Sequence, residues 1–490
     1  MGIKRQFLIL HQKPGQRIDY DSYIMGRISR RRMLQVLAAY SLSRHSTNAQ
    51  TLHHKSPKIL SPNAMTHDWG AFLGPNHNGI SSETHLSRIL PPPLVWERQK
   101  GAGYTSPAIA GTRLILLHRE DEKEVIDCLN AETGAPLWSH SYQTNFEDRY
   151  GYNNGPRSSP IIDIEGTGHV YTVSAEGLIN CLTLEAGEIV WTTDLRSKFQ
   201  VSQDFFGIAS TPLIDEDLLV VNVGAPQGPC VVGFNTKTGE EVWRAGSKWG
   251  ASYASPVPAM IHNRRRILVF AGGESNPPAG GLMSIDPKTG QLDFEFPFRS
   301  RTYESANASS PVVFNNRVFV TSCYRTGSAL IEIQPDFTFR LVWTTNEVGL
   351  HFNTPIYIEG YLYGFDGRNP GDASLVCLDA ETGKIAWRET PEWREEVNQN
   401  GRQQTQLMST FRGSLLQADG HFLGLGELGH LLWMDLTPAG YKEISRTWLI
   451  GARESWTLPV ISRGLLYVVQ NTRDVFNQTM PRLLCYDLRA

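Results

Sequence analysis

The chain has no run of 18 apolar residues, so it offers no helix that could span a bilayer. It has little charge of one sign. Its 46 Lys and Arg stand against 49 Asp and Glu, a net −3, and this mixed balance argues against nucleic acid as a partner. Its six cysteines are never adjacent and never form Cys-x-x-Cys-His, which excludes a vicinal disulfide and haem attachment of the c type. Long apolar stripes of period 3.6 are also missing, which excludes a helical solenoid.

What the chain does have is one ten-residue phrase written repeatedly. "LNAETGAPLW" (Leu129–Trp138) returns as "LDAETGKIAW" (Leu378–Trp387) and, with drift, as "LTLEAGEIVW" (Leu182–Trp191) and "FNTKTGEEVW" (Phe234–Trp243). Residues alternate apolar and polar on both sides of a short loop ending in Gly. That pattern predicts a hairpin whose turn closes on a residue in the left-handed region, where Gly has no Cβ penalty. The closing Trp is large enough to anchor the hairpin on a neighbour. An isolated hairpin is not stable in water, so the copies must bury one another.

The turn glycines fall at 134, 187, 239 and 290, then at 383, two periods on. The copy between is "IEIQPDFTFRLVW" (Ile331–Trp343), where Asp336-Phe337-Thr338 replaces the Thr-Gly turn, and a later one carries Gly440. A second signature opens each period: Ser106-Pro107, Ser159-Pro160, Thr211-Pro212, Ser255-Pro256, Ser310-Pro311 and Thr354-Pro355, with weaker forms at Gly413-Ser414 and Leu458-Pro459. A period of 40–50 residues holding four short strands is that of a β-propeller blade. The expected fold is all-β, an eight-bladed propeller of four-stranded antiparallel blades over 93–490. The last blade ends at its third strand, and "PLVWERQ" (Pro93–Gln99) reads as the missing fourth, closing the ring. The alternative is a separate N-terminal strand with seven complete blades.

The x-Asp/Asn-x-x-Thr-Gly-x-x-x-Trp hairpin behind a Ser-Pro opening resembles the pyrroloquinoline-quinone (PQQ) repeat. That repeat builds the propellers of quinoprotein alcohol dehydrogenases and of the outer-membrane assembly lipoprotein. The leader "DWGAFLGPNHNGIS" (Asp68–Ser81), within the lead-in of 66–92, resembles that of secreted PQQ-repeat proteins of planctomycete-like bacteria, some of them named polyvinyl-alcohol dehydrogenases. The resemblance implies a fold. It implies a cofactor only where the cofactor's ligands are present, and no position here matches the motifs that hold PQQ and Ca²⁺ in the dehydrogenases.

Residues 1–65 are basic and lie outside the repeats. Within them "SRRRMLQVLAAYSL" (Ser29–Leu42), followed by "TNAQ", resembles a twin-arginine export signal, which implies a periplasmic or secreted protein. The start of the chain is then Met1 or Met25. A disordered basic tail is the other reading. Cys128, Cys181, Cys377 and Cys485 hold one position in four blades, too far apart for disulfides, and read as small core residues.

Other motifs are weak. "GLGELG" (Gly424–Gly429) matches G-x-G-x-x-G but lies inside a blade with no helix after it. Asp215-Glu216-Asp217 reads as a turn. The better constellation comes from positions just before each inner strand, which gather at a propeller's axis. They give Tyr104, Arg157, Ile208, Tyr253, Asn307, Asn353, Gln406 and Trp456, with Glu304, His351, Arg453 and Glu454 beside them. This polar funnel is the candidate ligand site; a water-filled channel with its charges paired is the alternative. Two functions remain open. One is a monomeric, non-catalytic binding or scaffold module for a protein, peptide or glycan. The other is an oxidoreductase carrying PQQ with Ca²⁺ in the funnel.

Overall fold

The computed structural model describes residues 50–399 and 402–490; the export motif at Ser29–Leu42 lies outside them. Eight antiparallel sheets stand around one axis. In the first blade the strands are Ala108–Ala110, Arg113–Glu120, Lys123–Asn130 and Pro136–Gln143, paired in sequence order. The same meander repeats with inner strands at Ile161–Ile162, Leu213–Asp215, Val257–Ile261, Val312–Phe314, Ile356–Ile358, Gly413–Ala418 and Val460–Ser462. The eighth blade is completed as expected. Leu94–Gln99 pairs antiparallel with Arg482–Asp487, so the two ends of the propeller share one sheet.

The core lies between blades. One buried cluster joins Tyr171, Val173 and Ile179 of the second blade to Leu219, Val221 and Phe234 of the third. Each blade therefore depends on its neighbours.

Both repeated signatures turn out to be junctions. The ring of Trp138 lies on Gly187 of the next blade. Trp191 lies on Gly239, Trp243 on Gly290, Trp343 on Gly383, and Trp96 on Gly134; a Cβ on any of these glycines would come within 2.5–2.8 Å of the indole. Each indole N–H donates to a carbonyl in the same turn, for example Trp191 to Thr236 at 2.9 Å and Trp243 to Pro287 at 2.7 Å. The glycines hold φ of 66–73°. Gly is thus required twice, for its backbone and for the ring it seats. At the junction of the fourth and fifth blades both partners are replaced: the fourth blade has Phe294 in place of Trp, and the fifth has Phe337, at φ 63°, in place of Gly. Four tryptophans face a cysteine across the ladder, Cys128, Cys181, Cys377 and Cys485, and all six thiols are buried and unbridged.

The Ser/Thr openings form an inner belt. Ser106 N–H donates to Ser159 Oγ, Ser159 to Thr211, Thr211 to Ser255, Ser255 to Ser310 and Ser310 to Thr354, all at 3.0–3.1 Å. Five consecutive bonds run from the first blade to the sixth.

Two segments lie outside the repeat. The leader crosses the lower end of the channel. Trp69, fully buried, bridges Ile109; Gly70 accepts from Ile162 N–H; Ile80–Ser81 pairs with Gln417–Ala418; and Asp68 pairs with Arg463. The basic segment was expected to stay outside the sheets, yet Thr51–His53 pairs on Leu94–Gln99 as a fifth strand of the eighth blade. Its alternating residues satisfy an edge that would otherwise stand open. A hairpin, Glu392–Gln399 with Arg402–Ser409, is inserted before the seventh blade.

Candidate functional site

In a meander of this sense, the Thr-Gly turns collect on the lower face. The blade-to-blade connectors and the second-to-third strand loops collect on the upper one. The connector between the first two blades is built around Asp148, whose side chain is fully buried. It accepts from Tyr150 N–H at 2.8 Å, Tyr152 N–H at 3.2 Å and Arg157 at 2.5 Å. Arg119 closes the loop by donating to the carbonyls of Phe146 and Asn154. The loop thus presents Tyr150 and Tyr152, which remain 37% and 43% exposed. Behind them stand Phe205 and Phe206: Tyr150 lies 5.3 Å from Phe206, Tyr152 5.9 Å from Phe206, and Phe205 5.7 Å from Tyr303. Arg149 covers Phe205 and pairs with Glu274, which also receives the Tyr303 hydroxyl.

Toward the axis this rim meets Trp456. Tyr104 is stacked on it at 5.6 Å, Tyr152 meets it edge-on at 5.6 Å, Phe352 lies at 5.7 Å, and the Arg412 guanidinium at 4.8 Å. Its indole N–H donates to Glu427, which is paired with Arg412. Tyr104 donates to Glu454 at 2.5 Å, and Arg157 lies over Tyr104 at 5.2 Å. Burial, followed by the Glu454 charge, holds the Tyr104 phenol well above its ordinary range. Burial, reinforced by Arg412 and Arg368, pushes His351 down to about 3, so the ring is neutral at physiological pH. These groups stack and hydrogen-bond; they are not poised to exchange protons near neutrality.

The expected funnel residues divide. Arg157, Tyr253, Glu454, Trp456 and His351 do gather at the axis. Tyr253 accepts from Phe206 N–H at 3.0 Å. Asn307 and Asn353 turn into the blades instead, donating to strand carbonyls at Ala271 and Phe365. Glu304 is exposed on the rim. The Arg453 carbonyl receives the Thr472 hydroxyl. Gln406 lies on the inserted hairpin, opposite Glu395. That hairpin displaced the count: the residue immediately before the seventh opening is Arg412. Asp148, Tyr152, Phe206, Arg412 and Glu427 were not legible, because connectors do not repeat. For Asp148 and Tyr152 the one signal was the aromatic and charged density of "NFEDRYGYNNGPR" (Asn145–Arg157).

Among the described residues, no three His, Cys, Asp or Glu side chains are grouped to hold a metal ion. A planar quinone bearing three carboxylates would need an open aromatic face and uncommitted cations. Here Trp456 is covered by Tyr104 and Arg412, and the axial guanidiniums are committed to Asp148 and Glu427. The axial residues do not fit that cofactor.

A family model described as outer membrane protein assembly factor BamB matches residues 122–389. No curated protein matches the chain. Among solved structures, a europium-containing methanol dehydrogenase is similar with TM-score 0.63 at 10% identity, over 86% of this chain and 98% of that one. The quinohemoprotein alcohol dehydrogenase of Comamonas testosteroni gives 0.59 at 11%, over 86% and 81%. BamB from Moraxella catarrhalis gives 0.52 at 14%, over 80% and 97%. At these identities the likeness is one of fold.

Proposed function

The chain belongs to the family described as outer membrane protein assembly factor BamB, and from that premise we propose that it is a monomeric, non-catalytic binding module whose partner is a protein docked on the upper mouth. The observation that carries this reading is the rim itself. Tyr150, Tyr152 and Tyr303 are exposed on a bed of Phe205 and Phe206 with Arg149 among them. Tyr and Arg dominate the energetics of protein interfaces, because they bring large area at low entropic cost. The axis behind the rim is already filled and paired, so it supports the docking surface from beneath. The leader closes the other end, which leaves the upper mouth as the accessible one. The protein works outside the cytoplasm, exported by the twin-arginine route.

The test is affinity capture from an extract of the source cells, comparing wild type with a Tyr150→Ser/Tyr152→Ser variant of unchanged melting temperature. A single protein retained by the wild type and lost by the variant supports the reading. Dye-linked oxidation of an alcohol after incubation with PQQ and Ca²⁺ would overturn it in favour of a dehydrogenase.

A further inference from the structure

Several arginines of the upper face have carboxylate partners: Arg149 with Glu274, Arg157 with Asp148, Arg196 with Glu176 and Arg412 with Glu427. Around Tyr324 the arginines have none among the described residues. The Arg368 guanidinium lies 4.5 Å from the Tyr324 ring and is exposed, with no carboxylate within ion-pair distance among the described residues. Arg325, the next residue, is exposed and likewise unpaired. Ser300, whose hydroxyl donates to the Tyr324 carbonyl at 3.2 Å, is flanked by Arg299 and Arg301. Arg299 spends its donors on Ser275 and on the carbonyls of Ala279 and Ser305 and, although the Asp204 charge acts on it from beyond ion-pair distance, has no ion-pair partner among the described residues. The neighbouring carboxylates do not supply one. Asp366 is held by Arg388, Asp372 accepts from Asn369 N–H, and Glu304 is exposed and in no ion pair among the described residues. Tyr324 O–H meets His351 Nε2 at 3.0 Å, and His351 Nδ1 is buried without a hydrogen-bond partner.

We infer that this corner, around Tyr324 with Arg299, Arg301, Arg325 and Arg368, binds an acidic segment of the docked protein. The inference deepens the docking role proposed above and rests on it. Four like charges without ion-pair partners repel one another, and an anion relieves that repulsion. Their origin selects the ligand class. They come from three places: the connector after the fourth blade and the second-to-third strand loops of the fifth and sixth. Donors contributed by three separate segments suit carboxylates strung along an extended peptide better than one compact anion. Exposed guanidiniums also match carboxylates in bidentate geometry.

The probe is a short fluorescent polyglutamate peptide, titrated against the full chain by anisotropy at low and high salt. Binding is expected, weakening as salt screens it. Arg325→Ala or Arg368→Ala should each reduce affinity about threefold, and the double variant about tenfold. Both side chains are exposed, so melting should not change. Lys55→Ala/Lys58→Ala, in the basic segment that precedes the leader, should leave binding intact. Equal binding of polylysine, wild-type affinity in the double variant, an equal loss in the lysine variant, or full displacement by equimolar inorganic phosphate would each overturn the inference. The two ideas fail separately. If polyglutamate binding follows the arginines while protein capture survives Tyr150→Ser/Tyr152→Ser, the aromatic docking surface is wrong and the acidic-segment site stands. If capture follows the tyrosines but polyglutamate does not bind, the reverse holds.

Discussion

The lower and upper faces of the ring are built from the same blades under different rules. Below, the Thr-Gly turn recurs with near-identical geometry at five junctions, where an indole is seated on the next blade's glycine. Above, no two connectors are alike: one is organised by the buried Asp148, another carries a five-residue helix (Leu195–Phe199), and a third is extended by a hairpin. The contrast teaches where each property resides. Repetition marks the contacts that hold neighbouring blades together, because every junction poses the same packing problem. Irregularity marks the surface free to specialise.

The contrast breaks most visibly at a lower-face anchor. Trp191→Ala removes a buried indole and its bond to Thr236, and should cost about 3–5 kcal/mol in chemical denaturation while leaving upper-face binding unchanged. Gly239→Ala, the other half of that junction, places a Cβ 2.6 Å from the Trp191 ring at φ 71° and should cost about 1–3 kcal/mol. The same idea is sharpened where the rule lapses: Phe294→Trp should destabilise alone and be rescued by Phe337→Gly, a coupling that a double-mutant cycle would read.

A smaller effect separates polar from apolar parts of the junctions. Glu124 is fully buried between the first two blades, accepting from Tyr142 O–H and Ala175 N–H, and burial pushes its pKa up from 4.5 to about 7. A carboxyl raised in the folded state costs nothing while both states are protonated. Its cost grows as pH rises from about 4.5 to 7 and is complete above that. Glu124→Gln should therefore stabilise the protein at pH 8, with the gain vanishing toward pH 4 in paired melts.

Much of the ring was legible because repeats multiply a weak signal. Eight phased openings predict eight blades, and the orphan "PLVW" strand predicts the closure that Leu94–Gln99 makes. What escaped was whatever occurs once. Nothing in the phase of Trp433 shows that in the seventh blade the indole has moved to the third strand, opposite Ser445, whose hydroxyl meets the leader's Arg88 carbonyl. The leader's place across the channel depends on contacts with inner strands hundreds of residues away. The axial set was half legible. Arg157 and Trp456 keep the repeat's phase, whereas the count fails at Gln406 because a hairpin intervenes. Trp456 also proves less independent of the fold than its position implies. With Tyr104, Arg412 and Glu427 around it, truncation there should cost stability as well as binding.

The claim that the lower face holds the ring while the upper rim serves recognition is tested most directly by thermal melting of Trp191→Ala beside Tyr150→Ser/Tyr152→Ser. The account predicts a large drop for the first variant and a melting temperature close to wild type for the second, whose rings are exposed and whose loop is held by Asp148 through backbone N–H groups. Equal losses in the two variants would contradict it, because the rim would then be part of what holds the blades together.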